Sequence, residues 1–206
     1  MSTRRETSVR RCPRCRIHQQ HCFCAHILPF EIRSRLSLIV HVRELKLTSN
    51  TAYFVQQMLP QNSHFDIRGR MNEPLEARDI TKRDGHPLFL YPDENSKVLT
   101  PEYVSSLPSN IHLIIPDGSW HQARKVHQRE PAFHGIQTVR LSDDLRGEYK
   151  LRSAPDPRFL STYEAIAHAL GVIEGEEVRD RLMTFFRVFV KSVWHSRHNF
   201  HGKLEL

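Results

Sequence analysis

Two groups of side chains in this 206-residue chain have the type and spacing to do chemistry. The first is its whole complement of cysteine: Cys12, Cys15, Cys22 and Cys24, in the pattern C-x2-C-x6-C-x-C. Four thiolates so close along the chain can close a tetrahedral site of the kind zinc prefers, with no position left open for catalysis. A disulfide, a redox pair at Cys12 and Cys15, or an iron cluster would use the same residues, and His18, His21 or His26 could replace one thiolate. Structural zinc is the preferred reading. The segment is too poor in apolar residues to fold unaided, and no export signal points to an oxidising compartment. Arg4, Arg5, Arg10, Arg11, Arg14 and Arg16 surround the cysteines and suit phosphate contacts.

The second group is Asp117-Gly118-Ser119-Trp120. The branched run Leu113–Ile115 before it reads as a strand buried on both faces. Pro116 should stop that strand, because it cannot donate to a ladder. Asp117 to Ser119 is turn and capping chemistry, and Gln122 to Glu130 reads as a helix ended by Pro131. In open α/β sheets, ligands sit outside the carboxyl ends of strands and against helix N-termini, where this tetrapeptide falls.

The elements that must position these groups follow the same plan. Leu36–Val42 reads as a first core strand, with His41, Arg43 and Glu44 at its end. Thr48, Ser49, Asn50 and Thr51 can cap a helix whose stripe is Ala52, Val55, Met58 and Leu59, ended by Pro60. Residues 61–86 read as polar and irregular. Leu88–Tyr91 is a short strand ended by Pro92, and Thr100-Pro101-Glu102 opens a short helix. Ile136–Leu141 is another strand, followed over 142–158 by a long connection carrying Arg146, Lys150, Arg152 and Arg158. Ser161 to Glu164 fits a capping box, with Gly171 ending that helix. A last helix from Glu176 carries the apolar face Val178, Leu182, Phe185, Phe186, Phe189 and Val193.

Composition narrows the class. The net charge is +7 with 14 histidines besides, a surface able to meet a polyanion. No apolar run approaches a membrane span, and no G-x-G-x-x-G or Walker loop occurs, which sets aside dinucleotide and P-loop enzymes. A cytoplasmic location without membrane contact is expected, as a monomer or a homodimer.

Four segments together carry a resemblance: the cysteine knuckle, His41-Val42-Arg43-Glu44 with Ser49-Asn50-Thr51-Ala52, Asp117-Gly118-Ser119-Trp120, and Leu160-Ser161-Thr162-Tyr163-Glu164-Ala165. In order and over nearly the whole chain they resemble the DTW-domain family of tRNA-uridine aminocarboxypropyltransferases, with Ser119 where the family has Thr. The resemblance implies S-adenosylmethionine as donor, tRNA as partner and a SPOUT-like, knotted α/β fold: a mostly parallel sheet flanked by helices (31–206), preceded by a basic arm with a small zinc knuckle (1–30). It implies transfer of the 3-amino-3-carboxypropyl group to N3 of a uridine. Asp117 is then the candidate base, or the holder of the donor's amino group. Tyr91, Pro92, Pro116, Gly118, Ser119, Trp120, Ser161 and Thr162 would join it around the donor. Arg43, Asn50, Thr51, Arg124, Lys125 and Arg152 would face RNA, or one of the basic residues the donor's carboxylate. The competing readings are an S-adenosylmethionine-dependent RNA methyltransferase, which would release S-adenosylhomocysteine, and a zinc-containing RNA-binding protein without catalysis.

Overall fold

The computed structural model describes residues 10–47, 50–118, 120–149, 151 and 159–198, with Lys46 and Trp120 described by backbone alone. A six-stranded sheet in the order β2-β1-β5-β3-β6-β4 organises it. The strands are β1 (Arg35–His41), β2 (Ser63–Arg68), β3 (His86–Leu90), β4 (Lys97–Val98), β5 (Ile111–Asp117) and β6 (Thr138–Arg140). Every pairing is parallel. The helices are α1 (Ala52–Met58), α2 (Ala77–Thr81), α3 (Pro101–Ser105), α4 (Trp120–Arg129), α5 (Thr162–Glu174) and α6 (Glu176–Arg197). The parallel sheet flanked by helices is the one the sequence predicts, and none of the described helices is long and apolar enough to cross a membrane.

Alternation along the strands divides the interior in two. Leu36, Leu38, Val40, Leu113 and Ile115 face a large core shared with α1, α5 and α6. Ile39, Phe89 and Ile114 face a smaller one with Ala77 and Ile80 of α2, Val126 of α4 and Phe133. The cysteine knuckle packs into the large core: Phe23 is buried among Phe54, Phe185 and Phe189, with ring centroids 5.2–5.9 Å away. Burying such a ring contributes about 2–3 kcal/mol.

Three expectations are corrected. Residues 61–86 are not irregular throughout, since Ser63–Arg68 forms β2 and Ala77–Thr81 forms α2. β2 is an edge strand whose polar residues His64, Asp66 and Arg68 alternate with Phe65 and Ile67. Pro116 does not stop β5: it pairs in register with Ile39, and the strand runs on to Asp117. Pairing with β3 ends at Ile114, so on that side the residue lacking an N–H has no ladder to break. Gly171 lies inside α5, not at its end. A Cβ there would stand 2.9 Å from that of Arg179, so the glycine lets α6 approach. The turn between the two helices falls to Gly175, with φ of +117°.

Candidate active site and cysteine cluster

The carboxyl ends of β3, β5 and β6 and the start of α5 enclose a cavity of about 410 Å³, a size typical of small-molecule sites. Leu90, Tyr91 and Pro92 line one side, and Ile115, Pro116 and Gly118 follow β5 out of the sheet. Arg140 comes from the end of β6, and Leu141, Ser142, Asp143 and Leu145 from the segment after it. Phe159, Leu160, Thr162 and Ala165 come from the entry to α5, and Ala123 from α4. Tyr91, Pro92, Pro116, Gly118 and Thr162, expected from the sequence, thus meet around one cavity. Ser161 stands beside it as the cap of α5. Ser119 lies outside the described residues, as does the side chain of Trp120.

Asp117 is buried against this cavity's wall. Its Oδ1 accepts from the Thr162 hydroxyl at 2.6 Å, and its Oδ2 accepts from Asn50 Nδ2 at 3.3 Å. Each partner is itself fixed. Asn50 Oδ1 accepts from Tyr53 N, capping α1, while its amide also donates to the Glu44 carbonyl. Thr162 is the first residue of α5, whose capping box is complete: Ser161 Oγ accepts from Glu164 N, and Glu164 Oε2 accepts from Ser161 N. The other oxygen of buried Glu164 accepts from the backbone of Glu148, whose carboxylate grips Arg187 of α6 through two 2.8 Å contacts. The start of α5 therefore fixes both Asp117 and the 142–149 segment that borders the cavity.

Asn50 and Thr51, expected to face RNA, do not. Both are buried, Asn50 on Asp117 and Thr51 with its hydroxyl accepting from Tyr163 N at 3.4 Å, and a phosphate needs an accessible side chain. Arg43 and Arg124 are exposed and Lys125 is half-buried, all near the carboxyl edge of the sheet; Arg152 lies outside the described residues. Burial raises the proton affinity of the Tyr91 phenol, with nearby Arg124 opposing.

The sequence reading missed Arg68. From the end of β2 it donates to the Gln122 carbonyl at 3.2 Å, pinning the first turn of α4. Burial lowers its pKa, while Glu130 and Asp117 hold the charge against Arg129. The cavity-lining residues Arg140, Leu141, Ser142, Asp143 and Leu145 lie at the end of the predicted strand Ile136–Leu141 and the start of the long connection after it, where the rule that ligands sit beyond strand ends points.

The four cysteines are free and converge, their sulfurs all within 4.8 Å of one another. Cys12 and Cys24 stand 3.6 Å apart and Cys15 and Cys22 3.7 Å. A tetrahedral zinc with Zn–S near 2.3 Å sets sulfurs about 3.8 Å apart, so this donor set fits the ion. No histidine joins the group among the described residues. Burial raises the Cys12 thiol, but the amides of Cys15 and Arg14 and the neighbouring thiols outweigh it and bring it down to about 6. Burial pushes Cys15 up to about 11, and burial with three thiol neighbours pushes Cys24 higher still. Four sulfurs so close cannot ionise together without a cation, and a divalent ion reverses that balance.

Comparison with known proteins identifies the family of the chain. The chain is 31% identical over 169 residues to tRNA-uridine aminocarboxypropyltransferase 2 of Mus musculus, covering 79% of this chain and 56% of the relative. It is 28% identical over 179 residues to the Drosophila melanogaster protein of that name, covering 84% and 70%. It thus spans little more than half the length of the mammalian relatives it matches. Among solved structures, the SAM-dependent rRNA:acp-transferase of Vulcanisaeta distributa aligns with TM-score 0.47 and 20% identity over 80% of each chain. Residues 9–194 match the DTW domain, and the chain belongs to the DTW-domain family.

Proposed function

We propose that this protein transfers the 3-amino-3-carboxypropyl group of S-adenosylmethionine to N3 of a uridine in tRNA. The observation that carries the reading is the setting of the family tetrapeptide. Asp117 is clamped by Thr162, which itself lines a cavity sized for a small-molecule donor. The names borne by the mouse and fly relatives support the substrate.

The chemistry asks little acid catalysis of the protein. A bond forms between N3 and the carbon next to the sulfonium. The carbon–sulfur bond breaks with its electron pair going to sulfur, and neutral methylthioadenosine leaves. The protein must align the two, exclude water and accept the N3 proton. Asp117, a carboxylate held at Oδ1 by Thr162 and at Oδ2 by Asn50, accepts that proton. The apolar walls of Leu90, Ile115, Leu141, Leu145 and Phe159 exclude water. Arg43, Arg124 and Lys125 meet tRNA phosphates at the sheet edge. Cys12, Cys15, Cys22 and Cys24 hold a structural zinc.

The test is a product assay on unmodified tRNA transcripts with S-adenosylmethionine, read by mass spectrometry. Methylthioadenosine with an aminocarboxypropyl uridine is expected, and Asp117→Asn should abolish both. S-adenosylhomocysteine would instead establish a methyltransferase. Bound tRNA with neither product would leave an RNA-binding protein, and full activity in Asp117→Asn would remove the base assignment.

A further inference from the structure

Arg140 and Asp143 carry the only formal charges among the described residues that line the cavity. Arg140 closes β6, and its guanidinium meets the Asp143 carboxylate at 3.0 Å. The Arg140 side chain is 32% exposed and that of Asp143 82%, so the pair stands at the solvent side of a largely apolar chamber. An exposed pair three residues apart holds its members weakly, and either can take a better partner.

Resting on the donor reading above, the geometry points to Arg140 and Asp143 as the clamp for the amino-acid end of S-adenosylmethionine. Arg140 takes the carboxylate through its planar fork, and Asp143 takes the ammonium. A zwitterion of opposite charges a few ångströms apart matches a side-chain pair of opposite charges 3.0 Å apart. The apolar interior of the cavity is left for the adenosyl half. The group to be transferred then sits at the mouth, where a nucleic acid too large to enter can reach it. With the ammonium held by Asp143, Asp117, buried beside the cavity, is not needed for the donor's amino group.

The test is calorimetric titration of the full chain, without tRNA, using S-adenosylmethionine, decarboxylated S-adenosylmethionine and methylthioadenosine. Wild type should bind S-adenosylmethionine about tenfold or more tighter than its decarboxylated analogue, the strength of a charge-assisted contact. Arg140→Gln should erase that ratio and leave methylthioadenosine affinity as in wild type, which also reports that the cavity is folded. Asp143→Asn should weaken both ammonium-bearing compounds against methylthioadenosine. If Arg140→Gln binds methylthioadenosine normally and keeps the carboxylate preference, the clamp is refuted while the donor reading stands. If wild type binds none of the three, donor reading and clamp fall together.

Discussion

The Thr162 hydroxyl donates to Asp117 Oδ1 across 2.6 Å, joining the first residue of α5 to the last residue of β5. The bond orients the carboxylate through one oxygen, and Asn50 secures the other from the cap of α1. Thr162→Val keeps the shape and removes the donor. Turnover should fall roughly 10- to 100-fold through misalignment alone, with about 1 kcal/mol of stability lost. Thr162→Ser should restore most of the rate. Steady-state kinetics beside a urea melt separates the two effects, and an unaltered kcat in Thr162→Val would show that the bond does not set the geometry of the reaction.

Gly118 leaves the strand with φ of +137°, a conformation side chains rarely adopt, and a Cβ there would stand 2.5 Å from Gln122 Oε1. Gln122 can swing away, but the backbone strain remains. Gly118→Ala should cost about 1–2 kcal/mol. Because the residue lines the cavity, it should also raise the apparent KM for S-adenosylmethionine. Denaturation midpoints and donor titration check the two halves, and an alanine variant matching wild type in both would mean the loop relaxes freely.

Much of this was legible because local chemistry and tertiary role coincide. Thr100 and Ser161 cap the helices their sequences announce, and the branched runs at β1, β3 and β5 form the sheet. Asp117 falls at the carboxyl end of a strand, with Gly118 turning away from it, as parallel α/β logic requires. What was illegible depends on partners distant in sequence. Asn50 looks like a cap and is one, yet only the fold reveals that its amide also reaches Asp117, 67 residues on. Pro116 and Gly171 read as stops. A missing ladder partner excuses the first, and the close approach of α6 explains the second. β2 escaped because an edge strand shows alternation without an apolar run.

His112 predicts an acid limit to stability. It is fully buried; its Nε2 lies 2.8 Å from Ser37 Oγ, and Nδ1 has no hydrogen-bond partner among the described residues. Burial, and then the Arg83 guanidinium that also bonds Ser37 and Asp66, bring its pKa down to about 4 from an ordinary 6.5, against the pull of Asp66. Between those values the unfolded chain binds the proton and the folded one does not. Stability from this residue is therefore fully present above pH 6.5 and lost as pH falls through 4, by up to about 3 kcal/mol. Urea midpoints of wild type and His112→Gln at several pH values should converge on acidification. Parallel curves would assign the acid loss to other groups.

The cysteine knuckle should be necessary to the site as well as to its own loop. Phe23 lies between Cys22 and Cys24 and packs on Phe54 of α1 and on Phe185 and Phe189 of α6. Arg14 bonds Gln57 of α1, and the Arg16 guanidinium stands 4.7 Å over the Tyr53 ring. The N-terminus of α1 is capped by Asn50, which also holds Asp117, so the knuckle supports the helix whose cap holds the carboxylate. One zinc per chain is expected from elemental analysis. Chelation, or Cys15→Ser at the most buried ligand, should remove several kcal/mol of binding-linked stability and lower Tm by roughly 10 °C. Turnover should fall below the melting temperature, as the Asn50–Asp117 contact loosens before the sheet opens. Restoring zinc to the chelated protein should recover both. Unchanged melting and turnover in metal-free protein would reduce the four sulfurs to a cluster of free thiols.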